Sequence, residues 1–347
     1  MQGYLNAMLE IAPDMFEVLE LRYRILQKIS LLAPIGRRTL AEELALSERK
    51  LRTETDFLRN QELIHSSRGG MVLTKKGMNI LRQLAEIIHT FSGMSQTEQK
   101  LARHFGIERV VIVPGDLDKN DNVLATFGYV LSDWLEHDLT NTNLVDATVT
   151  VLGGTTLSGV AKNIRSFNHD TDVVFVSGRG GMGDLISAQA NVVSADFASR
   201  VGGKHVSLHV PEKMSEATYK NLLTEPTVKN VLDLMATSSI AIHSIGQAMA
   251  MAKEREMTEE ELKLLKAKKA VAEVFGTFYN QEGDVIYQIP RIGLQAKMLA
   301  HIPNIYAVAG GSSKAYAINA YLKHAPHQTW LLTDEGAANL VLKGLSL

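Results

Sequence analysis

Three glycine-containing loops carry residue types suited to holding a phosphate. Gly153-Gly154-Thr155-Thr156 offers backbone N–H groups, two hydroxyls and the start of a helical stretch. Gly310-Gly311-Ser312-Ser313-Lys314 repeats the arrangement and adds a cation. Ser177-Gly178-Arg179-Gly180-Gly181 places an arginine at the end of an apolar run. One such loop says little, because tight turns need glycine whatever they bind. Two glycine-hydroxyl loops, each before a helix, with Arg179 and Lys314 beside them, point to an anion with phosphate chemistry. A bisphosphate would need two such sites. Arginine can grip a phosphate through two N–H groups, whereas lysine acts as a point charge.

Other patterns lead nowhere chemically. Gly178 to Gly183 fits G-x-G-x-x-G after a strand, but no acid closes the next strand at about the 20-residue offset a dinucleotide ribose needs, and Glu212 comes too late. Gly154-Thr-Thr-Leu-Ser-Gly159 begins like a triphosphate-binding loop, yet Val160-Ala161 replace the required Lys-Ser/Thr. His205 and His209 lack a metal-binding frame and are expected as strand residues; no metal and no cofactor is expected. Asp334-Glu335 could be imagined as an acid–base pair, but acids in a first helical turn are favoured electrostatically without any chemistry. No pair of groups compels catalysis, so no catalytic residue is assigned and an enzyme is not expected.

The loops need strands to carry them. From about residue 108 the pattern is a series of apolar β-rich runs, each ending at glycines and followed by a helical stretch: Arg109-VVIVPGD, Thr148-VTVLGGTT, Asp172-VVFVSGRGGMG, His205-VSLHVP, Ser239-IAIHSIG, Ile305-YAVAGG and Thr329-WLLTDEG. Continuous apolar strands alternating with helices predict an α/β domain with a mostly parallel sheet. Ligands in such sheets bind at the carboxyl ends of the strands, where this chain puts its glycine-rich loops.

The N-terminal end has different chemistry. Residues 21–80 hold twelve Lys or Arg against six Asp or Glu, a net of +6, so the rest must carry −8 to reach the overall −2. Residues 15–32 place Val18, Leu21, Ile25, Leu26 and Ile29 on one helical face and Arg22, Arg24 and Lys28 on the other. Pro34 and Gly36 stop that helix. Thr39 is expected to cap a short helix, Ala45-Leu46 to turn, and Ser47 to cap a second helix with Leu51 and Leu58 inward. That is helix-turn-helix spacing. Ser47, Glu48, Arg49, Lys50, Arg52 and Thr53 would lie on the exposed start of the recognition helix, with Arg37 and Arg38 preceding it. Leu63-Ile64-His65 and Met71-Val72-Leu73 flank a Gly69-Gly70 turn, a hairpin wing with Arg68 at its tip. Double-stranded operator DNA is the expected partner of this end.

The 347 residues suit about two domains, and a hydrophobic content of 45% supplies a large core. The division expected is 1–76 for a winged helix-turn-helix, 77–106 for a helical connector with Leu81, Leu84, Ile87, Ile88 and Phe91 along one face, and 107–347 for an effector domain. Palindromic operators call for a two-fold protein, so a dimer or tetramer is expected. There is no cysteine, which removes disulfides, zinc fingers and thiol nucleophiles. Acids at Glu10, Asp14, Glu17 and Glu20 do not make a signal peptide, and no apolar run approaches the roughly 18 residues of a membrane span. A cytoplasmic protein that does not touch the membrane is expected.

The segments GRRTLAEELALSERKLRTETDFL, VLGGTTLSGVAKN, FVSGRGGMG, AVAGGSSKAYAI and TDEGAA together resemble the SorC-type sugar-responsive transcriptional regulators, across the whole chain. The resemblance implies a winged helix-turn-helix fused to an effector domain like the ribose-5-phosphate isomerase and glucosamine-6-phosphate deaminase fold. It implies repression of a glycolytic operon relieved by fructose 1,6-bisphosphate. It also implies that Gly153, Gly154, Thr155 and Thr156 bind one phosphate, with Lys314 and the loop Gly310, Gly311, Ser312, Ser313 at the ligand. Arg179, Gln189 and Glu273 fall in segments matching the family's site, Glu273 toward a sugar hydroxyl; the KERE segment around Arg255 matches less closely. Two alternatives stay open: a regulator of another sugar-catabolic operon answering to a different sugar phosphate, or a sugar-phosphate isomerase or deaminase with a DNA-binding appendage.

Overall fold

The computed structural model describes residues 11, 13–44, 46–67, 69–91, 93–141, 146–167, 172–181, 185–211 and 214–344. They divide into two units, Met1–Thr97 and Glu98–Leu347.

The first unit opens with α1 (Pro13–Leu32), then α2 (Arg37–Glu43) and α3 (Glu48–Asn60). Ile25, Leu26 and Ile29 of α1 pack with Leu40, Leu51 and Leu58 in one core, as their spacing predicts. Val18 departs from that face: it is 41% exposed, on the part of α1 that precedes the packed turns. The helix pair begins earlier than Thr39 suggests, because α2 starts at Arg37 with Gly36 as a cap that makes no side-chain bond. Ser47 caps α3 as expected, its hydroxyl accepting from Lys50 N at 3.2 Å. Arg22 crosses from α1 to α3, donating to Glu54 at 2.8 Å with its guanidinium 3.6 Å over the Phe57 ring. An antiparallel hairpin follows, β1 (Ile64–Ser67) and β2 (Gly70–Leu73). Ile35 exchanges two backbone bonds with Met71, adding a third short edge. Gly70 is required there, because a Cβ would lie 2.9 Å from the Ile35 backbone and its φ is +127°.

The stretch 77–106, expected as a helical connector, holds most of α4 (Lys75–Phe91) and all of α5 (Gly93–Phe105). Arg68, Ala45 and Ser92 lie outside the described residues, as do the side chains of Ile87, Ile88 and Phe91.

The second unit is built on β3 (Arg109–Val113), α6 (Asn122–Asn141), β4 (Asp146–Val151), α7 (Thr155–Ala161), β5 (Asp172–Ser177), α8 (Ala190–Val201), β6 (Lys204–Val206), α9 (Glu216–Thr224), α10 (Pro226–Ala236) and β7 (Ile240–Ser244). After an insertion come β12 (Asn304–Val308), α13 (Ala315–Leu322), β13 (Thr329–Asp334) and α14 (Glu335–Gly344). Seven strands form one parallel sheet in the order β3-β13-β12-β7-β4-β5-β6. The fold is the α/β class that the alternating apolar runs predict. The run after His205 is strand only over Lys204–Val206. No helix among the described residues is long and apolar enough to cross a membrane.

The insertion holds β8 (Gly246–Gln247), α11 (Ala248–Glu254), α12 (Glu259–Ala267), β9 (Ala270–Val274), β10 (Thr277–Asn280) and β11 (Val285–Gln288). Its strands make a separate antiparallel sheet, β11-β10-β9-β8, which the alternating pattern does not anticipate. Phe275 and Gly276, with φ of 56° and 77°, form the two-residue turn between β9 and β10. Positive φ at both positions is what a type I′ hairpin turn demands. The order of the large sheet reverses at β4: the chain runs outward to β5 and β6, then returns to β7 on the other side of β4. Diverging connections there leave a crevice beyond the carboxyl ends of β4 and β7.

Candidate functional site

A small, open cleft occupies that crevice. From β4 it takes Leu152, Gly153, Gly154, Thr155 and Thr156; from β7, Ser244 and Ile245; and from the small sheet, Glu273, Val274 and Phe275. Gly153 has no room for a Cβ, which would stand 2.3 Å from Ala188 O and 2.9 Å from Arg179 Nη2. Gly154 has φ +124°, and its N–H donates to Ala188 O at 2.8 Å. The two glycines therefore let the loop press against the next connection while α7 starts at Thr155 with no side-chain cap. Thr155 is exposed and Thr156 buried. Lys314 reaches across from the β12 connection and donates to Thr156 Oγ1 at 3.0 Å. Burial pushes its ammonium down to about 8, against the opposing pull of the Asp118 and Asp334 charges.

Three arginines add to the cleft's positive charge. Arg179, beyond β5, is 3% exposed, and its backbone pairs with Gly293 in an isolated antiparallel bridge. Burial pushes its guanidinium down to about 10, with a further push from Arg255. Arg255, the C-cap residue of α11, donates to Glu273 Oε1 at 2.9 Å, and the same oxygen accepts Gly276 N at 2.6 Å. Arg291 completes the set at 4% exposure, its Nη2 donating to the Leu294 carbonyl. Nη1 of Arg179, and Nε and Nη1 of Arg291, are buried with no hydrogen-bond partner. Among the described residues, the charged ones lining the cleft are thus Arg179, Arg255, Arg291 and Lys314 against Glu254 and Glu273. Buried donors left unpaired cost about 1–3 kcal/mol each, so such a site favours an anionic occupant.

Of the residues singled out from sequence, Gly153, Gly154, Thr155, Thr156, Arg179, Arg255, Glu273 and Lys314 line this one cleft. Gln189 does not line it; it is the N-cap residue of α8, one position after Ala188. The second glycine-hydroxyl loop also stands outside it, and its donors already hold anions. Gly311 N donates to Asp334 Oδ2 at 2.6 Å, Ser312 N to Asp116 Oδ1 at 3.0 Å and Ser313 N to Asp118 Oδ2 at 2.6 Å. The Ser312 and Ser313 hydroxyls donate to Asp116 and Asp118 as well. A Cβ on Gly310 would sit 2.7 Å from Asp334 Oδ2, so this glycine makes room for a carboxylate of the same chain. The loop binds anions, as its composition suggests, but they are internal. Asp334 and Glu335, imagined above as an acid–base pair, instead fasten backbone: Asp334 takes three N–H groups and Glu335 takes that of Gly115.

Arg291 is the cleft residue that sequence reasoning missed. Its only signal is a lone arginine in the otherwise uncharged run Pro290-Arg291-Ile292-Gly293-Leu294. Among the described residues no cluster of His, Asp and Glu could hold a metal ion. His205 is a strand residue whose Nε2 meets Ser194 Oγ at 2.8 Å.

In the first unit Ser47, Glu48, Arg49, Lys50, Arg52 and Thr53 are all exposed at the start of α3, and Arg37 and Arg38 at the start of α2. Three of its arginines share one carboxylate: Asp56 lies 3.1 Å from Arg59, 3.8 Å from Arg52 and 3.9 Å from Arg37. The face is basic but partly neutralised at its centre.

A unit with a basic exposed helix, joined to an α/β unit with a cationic cleft at its switch point, is the arrangement of a regulator with separate DNA-binding and ligand-binding units. Residues 18–88 match the CggR N-terminal DNA binding domain, and residues 89–343 match the family described as "Putative sugar-binding domain". The chain is 37% identical to the central glycolytic genes regulator of Priestia megaterium over 99% of both chains, and 36% identical to that of Bacillus subtilis over the same share. A crystal structure of a SorC family transcriptional regulator from Enterococcus faecalis shares 47% identity and a TM-score of 0.67, covering 71% of this chain and 99% of that one. The chain belongs to the SorC family of transcriptional regulators, with an N-terminal DNA-binding domain and a C-terminal sugar-binding domain. It is a regulator and not an enzyme.

Proposed function

We propose that this protein represses glycolytic genes, that the first unit is a winged helix-turn-helix gripping operator DNA as part of a dimer or tetramer, and that fructose 1,6-bisphosphate in the cleft releases it. The relatives named central glycolytic genes regulators support the target. The observation that carries the effector is the cleft's charge among the described residues: four cationic side chains against two carboxylates, with buried guanidinium N–H groups lacking partners. That arrangement suits a small, highly charged anion better than a neutral sugar. Arg49, Lys50, Arg52 and Thr53 on α3 are the residues offered to base edges and phosphates. Release follows from linkage: an effector that binds better to a DNA-incompetent state shifts the population toward it.

The test uses the full chain and a DNA fragment from upstream of its own glycolytic operon, with binding read by fluorescence anisotropy. Millimolar fructose 1,6-bisphosphate is expected to dissociate the complex and to raise the melting temperature of the free protein. If neither quantity moves with it or with any other phosphorylated sugar, the reading is wrong. If another sugar phosphate acts and this one does not, the effector assignment alone is wrong.

A further inference from the structure

Away from the cleft, one buried carboxyl joins the start of the second unit to the strand whose end is fastened to the Lys314 turn. The boundary between the units, after Thr97, falls within α5 (Gly93–Phe105). The later turns of α5 are held by apolar packing, with Leu101 in the core and Ala102 and Phe105 against it. Among the described side chains of α5, Glu98 is the first that is buried, three positions before Leu101. Its Oε1 accepts Ile112 N at 2.7 Å, on the open side of β3, an edge strand of the seven-stranded sheet. Burial pushes this carboxyl up to about 7, against the pull of the Ile112 N–H and of the Arg109 charge. A buried carboxyl is a costly partner for an N–H that water can serve at an open strand edge.

A few residues beyond Ile112, the same chain grips the turn that carries Lys314. Asp116 accepts Ser312 N at 3.0 Å, and Asp118 accepts Ser313 N at 2.6 Å. The connection is closed against α14 as well: Gly336 N donates to Gly115 O at 3.0 Å, and a Cβ on Gly336 would lie 2.5 Å from Asp116 Cγ. A shift of the Ser312–Lys314 turn therefore drags the end of β3, and with it the partner of Glu98.

We infer that Glu98 is a positioning residue for the switch: through Ile112 it ties the entry of α5 to the strand whose end is fastened to the Lys314 turn. This rests on the reading of the cleft as the effector site and names where its occupancy is passed on. An anion that draws Lys314 toward itself displaces Ser312 and Ser313, their carboxylates follow, and β3 carries Glu98 with it. Glu98 does not line the cleft, so effector affinity by itself does not depend on it. Removing the bond changes the coupling between sugar and DNA and not either affinity alone.

Glu98→Ala and Glu98→Gln in the full chain test this. Labelled DNA from upstream of the chain's own glycolytic operon is titrated by anisotropy with and without saturating fructose 1,6-bisphosphate, and the ratio of the two affinities is the coupling factor. In the wild type the sugar is expected to weaken the complex. In Glu98→Ala the factor should fall at least about fivefold, while sugar affinity without DNA and operator affinity without sugar stay within about threefold. Glu98→Gln keeps an oxygen for Ile112 N without the charge and should restore the factor to within about twofold. A Glu98 that only covers the strand edge would lower the melting temperature of the Ala variant and leave the factor unchanged. That result overturns the proposal, as does a Gln variant no better than Ala. Should the Ala variant fail to fold, Glu98→Asp, one methylene short of Ile112 N, decides: a reduced factor supports the tie, an unchanged one refutes it. Wild-type operator binding that ignores the sugar defeats the effector reading instead, and so is told apart.

Discussion

Lys314 answers to two opposing demands. The cleft draws its ammonium in against Thr156, and burial holds its pKa near 8, below the ordinary 10.5. A phosphate dianion would favour the charged form and raise that value, so binding takes up a proton wherever the empty site has lost it. Below about pH 8 the lysine is already charged and affinity should be flat; above it, affinity should fall as pH rises. Calorimetry of effector binding at pH 7 and pH 9, repeated in buffers of different ionisation enthalpy, reads both the loss and the proton uptake. Equal affinity at the two pH values would place the phosphate away from Lys314. The unliganded fold should show the mirror effect. Its depressed lysine disfavours the folded state while charged, so stability gains as pH rises between about 8 and 10.5.

At the scale of elements, three connections are fastened together by one buried carboxylate. Asp334, at the end of β13, accepts Leu117 N at 2.8 Å from the β3 connection, Gly311 N at 2.6 Å from the β12 connection and Ala337 N at 2.9 Å from its own helix. Asp334→Ala strands those three N–H groups, two of them far along the chain. A loss of about 3 kcal/mol or more is expected on the usual cost of buried unpaired donors. Urea unfolding followed by the fluorescence of Trp134 and Trp330, both in this unit, measures it. A loss below ~1 kcal/mol would mean that water or rearrangement satisfies the donors. The same carboxylates explain where sequence reasoning stopped. Gly153–Thr156 and Gly310–Ser313 read alike as residues, and composition cannot say which loop is open. The difference lies in partners 195 and 196 positions away, Asp118 and Asp116, brought in by the parallel pairing of β3 with β13. Arg179 and Lys314 were legible because they sit in glycine-containing loops that follow strands at the sheet's carboxyl edge. Glu273 and Arg255 came through family resemblance, since the antiparallel sheet that carries Glu273 interrupts the strand–helix alternation. Arg291 sits in a loop with no periodicity, and only tertiary packing reveals that it is buried.

At the scale of the whole molecule, the two units are expected to communicate through a free-energy coupling, and such a coupling is reciprocal. If fructose 1,6-bisphosphate weakens operator binding by some factor, saturating operator DNA must weaken binding of the sugar by the same factor. Both factors are measurable on one preparation: anisotropy of labelled DNA with and without sugar, and calorimetry of the sugar with and without DNA. Arg49→Ala separates the parts. Arg49 is exposed on the first turn of α3, in the first unit, and does not line the cleft of the second. Losing one base or phosphate contact should weaken operator binding by about tenfold, within the range of a single good contact. Sugar affinity in the absence of DNA should not change. The coupling factor should also survive, because the variant alters contact with DNA and not the equilibrium that the sugar biases. A variant that bound the sugar differently without DNA would mean that α3 belongs to the switch itself and not only to its output.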